Sequence, residues 1–371
     1  MNSFFKTEET LLKGAKTLSQ KYYVNDSVLR AEMKNIFLNG WICAGRIQDI
    51  SNKGDYKLLE LGNESIIILK NDKNEINAFY NVCRHRGTKI CIKHSGNFPK
   101  TIQCPYHGWT YDLKGKLHAA PNMDAVKDFS IDEYYLHKVQ LAEWEGFIFI
   151  NLSKSFSDFS SVFSPLMNLF DEWEIKNLLT MESKTYNVNC NWKLIVQNYS
   201  ECYHCPLIHP SLAKITPYLG GRNDMVSGPI LGGFMEMKSN SITKDGKLCG
   251  PTLGKLSTKN LNRVYYYSIF PNLLLSLHPD YIMYHAVWPV GVNKCKIDCS
   301  WLFSTKILEN SNHNPNNAID FWDKTNLEDW KICEQSQLGI NSKKYVPGPY
   351  SGQESLLAAY DEYYLRMLNG D

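Results

Sequence analysis

A chain of 371 residues, with 43% hydrophobic and 21% charged side chains, is long enough for two domains that each bury a core. Its 40 Lys and Arg against 38 Asp and Glu leave a formal charge of +2 spread along the chain, so charge makes no case for nucleic acid as a partner. No apolar run approaches the roughly 18 residues that cross a bilayer, which excludes a membrane-spanning helix.

The N-terminal MNSFFKTEETLLKG lacks the apolar core and cleavage site of a secretory signal, and a cytoplasmic protein is expected. In that setting 11 cysteines read as thiols and metal ligands rather than disulfides. Leu11, Leu12, Ala15 and Leu18, then Val28, Leu29, Met33, Ile36 and Phe37, predict helix over 8–37. From Trp41 the pattern changes to apolar runs of strand length at 56–61, 65–69 and 76–80, parted by Gly62-Asn63 and Asn71-Asp72-Lys73-Asn74. A further strand is expected over 146–151, and the serine-rich 153–161 reads as a linker. Beyond it the sequence predicts helices over 163–177 and 192–204, a strand-rich region over 234–304, and helices over 318–338 and 354–368. The picture is a small β domain followed by an α+β domain.

Two constellations carry chemistry. Cys83-Arg84-His85 is followed, eighteen residues on, by Cys104-Pro105-Tyr106-His107. Two thiolates and two imidazoles suit a two-iron two-sulfur centre with His on one iron, and tetrahedral zinc competes for the same donors. Cys91 and His94 repeat the spacing of Cys104 and His107, so spacing alone does not choose. Cys104, though, has beside it the Pro and Gly that a tight loop uses.

The second constellation is Glu201-Cys202-Tyr203-His204-Cys205-Pro206-Leu207-Ile208-His209. On a helix Glu201 and His204 would share a face, Pro206 would end that helix, and His209 would return from a loop. Two neutral imidazoles leave a ferrous ion needing one carboxylate, while a structural His pair beside Pro fits the same residues. Asp320, Asp323, Glu328, Asp329 and Glu334 are candidates on one predicted helix. Helical spacing puts Asp329 on the apolar side with Trp322, Asn326 and Cys333, and a solvated charge fits Glu328 and Asp323 better. Cys202 and Cys205 read as buried free thiols, with a redox pair as the rarer alternative.

NVCRHRG and CPYHGWTYDLKG resemble the two cluster-binding loops of Rieske domains. NWKLIVQNYSECYHCPLIHP resembles the mononuclear iron motif of Rieske non-haem iron oxygenase catalytic subunits, and similarity continues from Arg263 onward. The resemblance implies a Rieske β domain over 41–155 and an α+β, helix-grip-like catalytic domain with an antiparallel sheet over 156–371. Residues 1–40 would form a helical segment packing on the latter. It assigns Cys83 and Cys104 to one iron of the 2Fe-2S cluster, His85 and His107 to the other, and His204, His209 and Asp329 to a mononuclear Fe(II). Glu201 would be an electron-transfer bridge to the cluster of a neighbouring subunit in a homotrimer. Glu at that position is similar to the choline, carnitine and glycine betaine oxygenases, which usually carry an acid where this chain has Gln197. With no dinucleotide fingerprint of its own, the chain would take electrons from NAD(P)H through a separate reductase, directly or by a ferredoxin. The implied reaction is hydroxylation or oxidative N-demethylation of a small betaine-like ammonium compound. An aromatic ring-hydroxylating oxygenase is the alternative enzyme, and a Rieske electron carrier the alternative without catalysis. Phe234, Tyr281, Tyr284, His285 and Trp288 are candidate pocket residues that core packing would equally explain.

Overall fold

The structure, a computed structural model, describes residues 14–309 and 312–370. Residues 8–13 of the predicted N-terminal helix lie outside them. The chain divides into two units, Leu38–Phe156 and the segments on either side, up to Phe37 and from Ser157.

Short antiparallel strands build the first unit. They are β1 (Ile42–Arg46), β2 (Asp55–Leu61), β3 (Glu64–Lys70), β4 (Ile76–Tyr80), β5 (Ser95–Asn97), β6 (Thr101–Gln103), β7 (Thr110–Asp112), β8 (Leu117–Ala119), β9 (Gln140–Trp144) and β10 (Phe147–Asn151). They pair in three sheets, ordered β1-β10-β9, β4-β3-β2-β5 and β6-β7-β8. Gly62-Asn63 is the two-residue turn between β2 and β3, with Leu61 opposite Glu64 and Gly62 left-handed. Ile66 to Leu69 and all of β10 are buried, so these strands read as unbroken apolar runs instead of alternating ones.

In the second unit the one-turn helix α1 (Lys21–Val24) leads into α2 (Asp26–Glu32), whose Asn25 side chain accepts from the Ser27 N–H. A π-helical turn over Met33–Phe37 follows. The predicted helix over 8–37 is thus shorter: Ala15 and Leu18 precede it, and Lys16 forms a lone bridge with Pro349. The predicted helix over 163–177 is absent. A turn of helix α3 (Phe159–Val162) gives way to 3-10 turns, because Pro165 and the left-handed Asn168 and Glu174 interrupt it. After β11 (Leu179–Val188), α4 (Trp192–Tyr199) is capped by the Asn191 side chain. Two short helices follow, α5 (Cys205–Ile208) and α6 (Pro210–Ile215).

The main sheet is antiparallel. Its strands β12 (Gly221–Ser227), β13 (Ile230–Glu236), β14 (Arg263–Ile269), β15 (Leu273–Leu277), β16 (Ile282–Gly291) and β17 (Lys294–Phe303) run in the order β11-β17-β16-β15-β14-β13-β12. Sequence reading missed β11 and β12 because they are its two edges, half-exposed and polar. The turn α7 (Thr258–Leu261) precedes β14, and α8 (Asn316–Ile340) and α9 (Ser355–Asn369) complete the unit.

Buried polar links tie its helices together. Lys193 Nζ of α4 lies 2.5 Å from Glu32 Oε1 of α2, both side chains 0% exposed, and Trp192 Nε1 and Tyr364 Oη also donate to Glu32. Gln197 Nε2 donates to Asp361 Oδ1 of α9 at 2.7 Å, and Gln197 Oε1 accepts from Tyr23 Oη. α9 thus supplies the carboxylate that pairs with Gln197. Burial pushes that Asp361 carboxyl up to about 7 against the hydrogen bonds from Tyr350 and Gln197.

Candidate metal centres and the cavity beside one of them

The two Cys–His loops of the first unit close identically. Cys83 C=O accepts from Gly87 N–H and Cys83 N–H donates to Thr88 C=O, while Cys104 pairs in the same way with Gly108 and Trp109. Gly87 (φ +75°) and Gly108 (φ +72°) are both left-handed, which explains the glycine after each pair. The donors sort by type. Both thiols are buried, and the half-buried imidazoles face each other with Nδ1 atoms 3.1 Å apart. One sulfur pair inside and one nitrogen pair at the rim suit a cluster whose two irons carry different ligands. Tyr111 Oη accepts from the Arg84 N–H at 3.0 Å and lies 3.4 Å from Cys83 Sγ. Trp109 stacks on His85 at 4.9 Å. Cys91 and His94 do not join this group: Asn81 holds the Cys91 backbone, and His94 is exposed.

In the second unit, α4 ends at Tyr199, short of the predicted His204. Ser200 Oγ turns back to Val196 C=O, and the chain bends. Glu201 therefore meets His204 across a turn, not on a helix face. Its Oε2 accepts from the backbone N–H groups of Tyr203 and His204, and its Oε1 lies 2.5 Å from His204 Nδ1. Pro206 opens α5 instead of ending a helix, since its missing N–H costs nothing in a first turn. His209 sits between α5 and α6, 2% exposed.

Among the described residues, one group of three or more His, Cys, Asp or Glu can hold a single ion: His204, His209 and Asp329, with donor atoms within 4.8 Å of one another. Asp329 Oδ1 is 2.7 Å from His209 Nε2 and 3.3 Å from His204 Nε2. Two imidazoles and a carboxylate with an open side match the donor set that ferrous oxygenases use. The Glu328 carboxylate, expected from sequence to be solvated, lies 2.8 Å from His209 Nδ1. Both ligand imidazoles thus turn Nε2 inward and have Nδ1 held by a carboxylate, Glu201 for one and Glu328 for the other. Asp323, 27% exposed, is bonded to Lys184 and Tyr186. Burial alone would lower the His204 pKa, but hydrogen bonds to Asp329 and Glu201 raise it to about 10. Burial raises the Asp329 carboxyl, and the two imidazoles more than reverse that.

Cys202 and Cys205 are joined by a disulfide across Tyr203-His204, which corrects their reading as free thiols. The bend brings their Cα atoms to 5.0 Å, within disulfide reach.

A cavity opens beside His204, His209 and Asp329. Trp322, Thr325, Asn326, Asp329 and Trp330 line it from one face of α8, at helical spacing. The sheet contributes Tyr266, Ser268, Met283 and His285. Phe234 lines it too, whereas Tyr281, Tyr284 and Trp288 do not. On β16, Met283 and His285 face the cavity, so Tyr284 and Trp288, an odd number of residues from them, fall on the other face. Tyr281 is fully buried and bonded to Ile242 C=O and Trp322 Nε1. Sequence reading missed Tyr199, Tyr266, Trp322 and Trp330 as pocket residues. With His285 they form a continuous wall, Trp322–Tyr266–Tyr199–His285–Trp330, with successive ring centroids 5.9 to 6.3 Å apart and interplanar angles of 70° to 89°. No helix of the described residues is long and apolar enough to cross a membrane.

Residues 40–130 match the Rieske [2Fe-2S] domain, and residues 175–370 match the ring hydroxylating alpha subunit (catalytic domain). The chain is 29% identical to the glycine betaine monooxygenase oxygenase subunit of Pseudomonas aeruginosa, over 95% of this chain and 89% of that one. It is 34% identical to the carnitine monooxygenase oxygenase subunit of Escherichia coli over 53% of each. A quaternary ammonium Rieske monooxygenase solved with its substrate L-carnitine shares the fold, with a TM-score of 0.79 at 23% identity over 96% of both chains. The chain belongs to the ring hydroxylating alpha subunit family and is a Rieske-type oxygenase with a 2Fe-2S domain and a mononuclear iron domain, allied to the glycine betaine, carnitine and choline monooxygenases.

Proposed function

We propose that this oxygenase subunit hydroxylates or oxidatively N-demethylates a small methylammonium compound as a monooxygenase. The observation that carries the reading is the aromatic wall beside His204, His209 and Asp329. Ring faces attract a methylated cation by roughly 0.5 to 2 kcal/mol per contact, and a cation that carries no N–H needs no hydrogen-bond partner there.

In this reading His204 and His209 through Nε2, together with Asp329, hold the iron, and Cys83, Cys104, His85 and His107 hold the cluster. When bound, these groups supply oxygen activation and one-electron transfer. The chain's own residues do the rest. Glu201 and Glu328 fix the tautomer and tilt of the two ligand imidazoles. The wall holds an N-methyl group toward the open side of the three donors, and the buried apolar lining keeps bulk water from it.

An oxygenase subunit of this family works with a separate reductase. We take NAD(P)H as the ultimate donor, with or without an intervening ferredoxin. Glu201 is the proposed bridge to His107 of a neighbouring subunit in a homotrimer, a role supported by its hydrogen bond to His204 and by the family resemblance. The test is oxygen uptake with a partner reductase across choline, betaines, carnitine and aromatic acids. Uptake coupled to formaldehyde release with an ammonium substrate is expected. Uptake coupled to a ring diol from an aromatic acid would overturn the reading.

A further inference from the structure

Methylammonium compounds differ at the end away from nitrogen, and three features of the cavity bear on that end. Among its described lining residues none is Lys or Arg, while Glu201 and Asp329 are both there. A substrate carboxylate lying inside would meet no Lys or Arg and would face Glu201, and the iron held by His204, His209 and Asp329 would be the positive charge left to it. The second feature is His285, 1% exposed, on the sheet wall. Its Nε2 donates to Asn326 Oδ1 at 3.2 Å, and the Asn326 amide nitrogen is directed instead to Cys299 Sγ. That fixes the tautomer. Nδ1 is left as a bare lone pair, buried and without a partner. An unpaired buried acceptor calls for a donor. Burial holds this imidazole neutral, with its pKa lowered to about 4 despite Asn326 and Asp329, so Nδ1 does not protonate to pair with an anion. Third, His285 is itself a member of the aromatic wall, between Tyr199 and Trp330, so a cation against those rings lies beside the imidazole that carries Nδ1.

Resting on the methylammonium reading, we infer that the substrate carries a neutral hydrogen-bond donor, a hydroxyl in the simplest case, and no carboxylate within the cavity. His285 Nδ1 accepts that hydrogen bond and is the specificity-determining residue. The substrate class is then an N-methylated amino alcohol, not a betaine.

Calorimetric binding to the holoenzyme, with choline, glycine betaine and tetramethylammonium as probes and no reductase present, tests this without turnover. Choline is expected to bind more than about tenfold tighter than glycine betaine, whose carboxylate finds no Lys or Arg in the lining. His285→Phe keeps a ring in the wall and removes the acceptor. It should weaken choline about fivefold, the worth of one neutral hydrogen bond, and leave tetramethylammonium, which has no donor, unchanged. Glycine betaine binding as tightly as choline to the unmutated enzyme would overturn the inference and leave the methylammonium reading standing. Equal losses for choline and tetramethylammonium in His285→Phe would overturn the role of Nδ1. Binding of benzoate with none of the three ammonium probes would sink the methylammonium reading itself.

Discussion

Replacing Glu328 with alanine removes a carboxylate that lies 2.8 Å from His209 Nδ1, on the opposite side of the imidazole from Asp329. A ring whose Nδ1–H is held in this way keeps Nε2 aimed at the metal and is the better donor for it. Loss of such a support typically costs about 10- to 100-fold in metal affinity. The Glu328 side chain is 31% exposed and Lys324 approaches it at 3.8 Å, so solvent and a countercharge screen it. The low end applies: about tenfold for Glu328→Ala, or about 1.4 kcal/mol. Glu328→Gln keeps an acceptor oxygen at the same reach and should lose only about threefold, since the charge-assisted part of the bond goes and the neutral part stays. The assay is anaerobic competition for ferrous ion against a chelator, with cluster absorption reporting an intact fold. Asp323→Ala is the control, because Asp323 sits on the same helix but is bonded to Lys184 and Tyr186. Unchanged iron affinity in Glu328→Ala, or an equal loss in Asp323→Ala, would refute the reasoning.

Tyr111→Phe removes the hydroxyl beside Cys83 Sγ and should lower the cluster's reduction potential, because a hydrogen bond to a ligand sulfur favours the reduced, more negative form; an unshifted redox titration would count against that bond. Lys193→Met leaves Glu32 charged and unpaired in a fully buried site and should cost about 3 to 5 kcal/mol in urea unfolding, most of it restored by adding Glu32→Gln. A loss under about 1 kcal/mol would show that the pair is not insulated from water. The folded Asp361 carboxyl titrates near 7, against 3.8 when free. Between those values the folded chain retains a proton that the unfolded chain releases, so stability falls as pH rises. Asp361→Asn should flatten that limb of the pH–stability curve, and identical slopes in the two proteins would contradict the assignment.

Motifs that keep their donors close in sequence were legible in advance. The Rieske loops could be read because Cys, His and Gly must recur at fixed offsets to close two like turns. Asp329 was legible as the buried member of an acidic helix because 3.6-residue spacing groups it with Trp322 and Asn326. Glu328 was misread by the same rule. Helical spacing sorts residues into faces but does not show that a ligand histidine comes from elsewhere to meet the flank of the helix. The bend at 200–204 was missed for a related reason. Glu201 and His204 fit a helix face, and only the Glu201 side chain capping its own turn tells the two conformations apart. The aromatic wall was hidden more deeply, since Tyr199, Tyr266, Trp322 and Trp330 come from three elements distant in sequence and look like core residues one at a time. Gln197 gained its meaning only once α9 brought Asp361 beside it.

Iron and acid-labile sulfide per chain, measured on the purified protein and on Asp329→Ala, test the convergence of His204, His209 and Asp329 on one ion. About three irons and two sulfides falling to about two irons and two sulfides, with the cluster spectrum unchanged, is the result expected from the cofactors of this family. The same iron content in both proteins, with Asp329→Ala still consuming oxygen alongside its substrate, would mean that the oxygen-activating centre lies elsewhere.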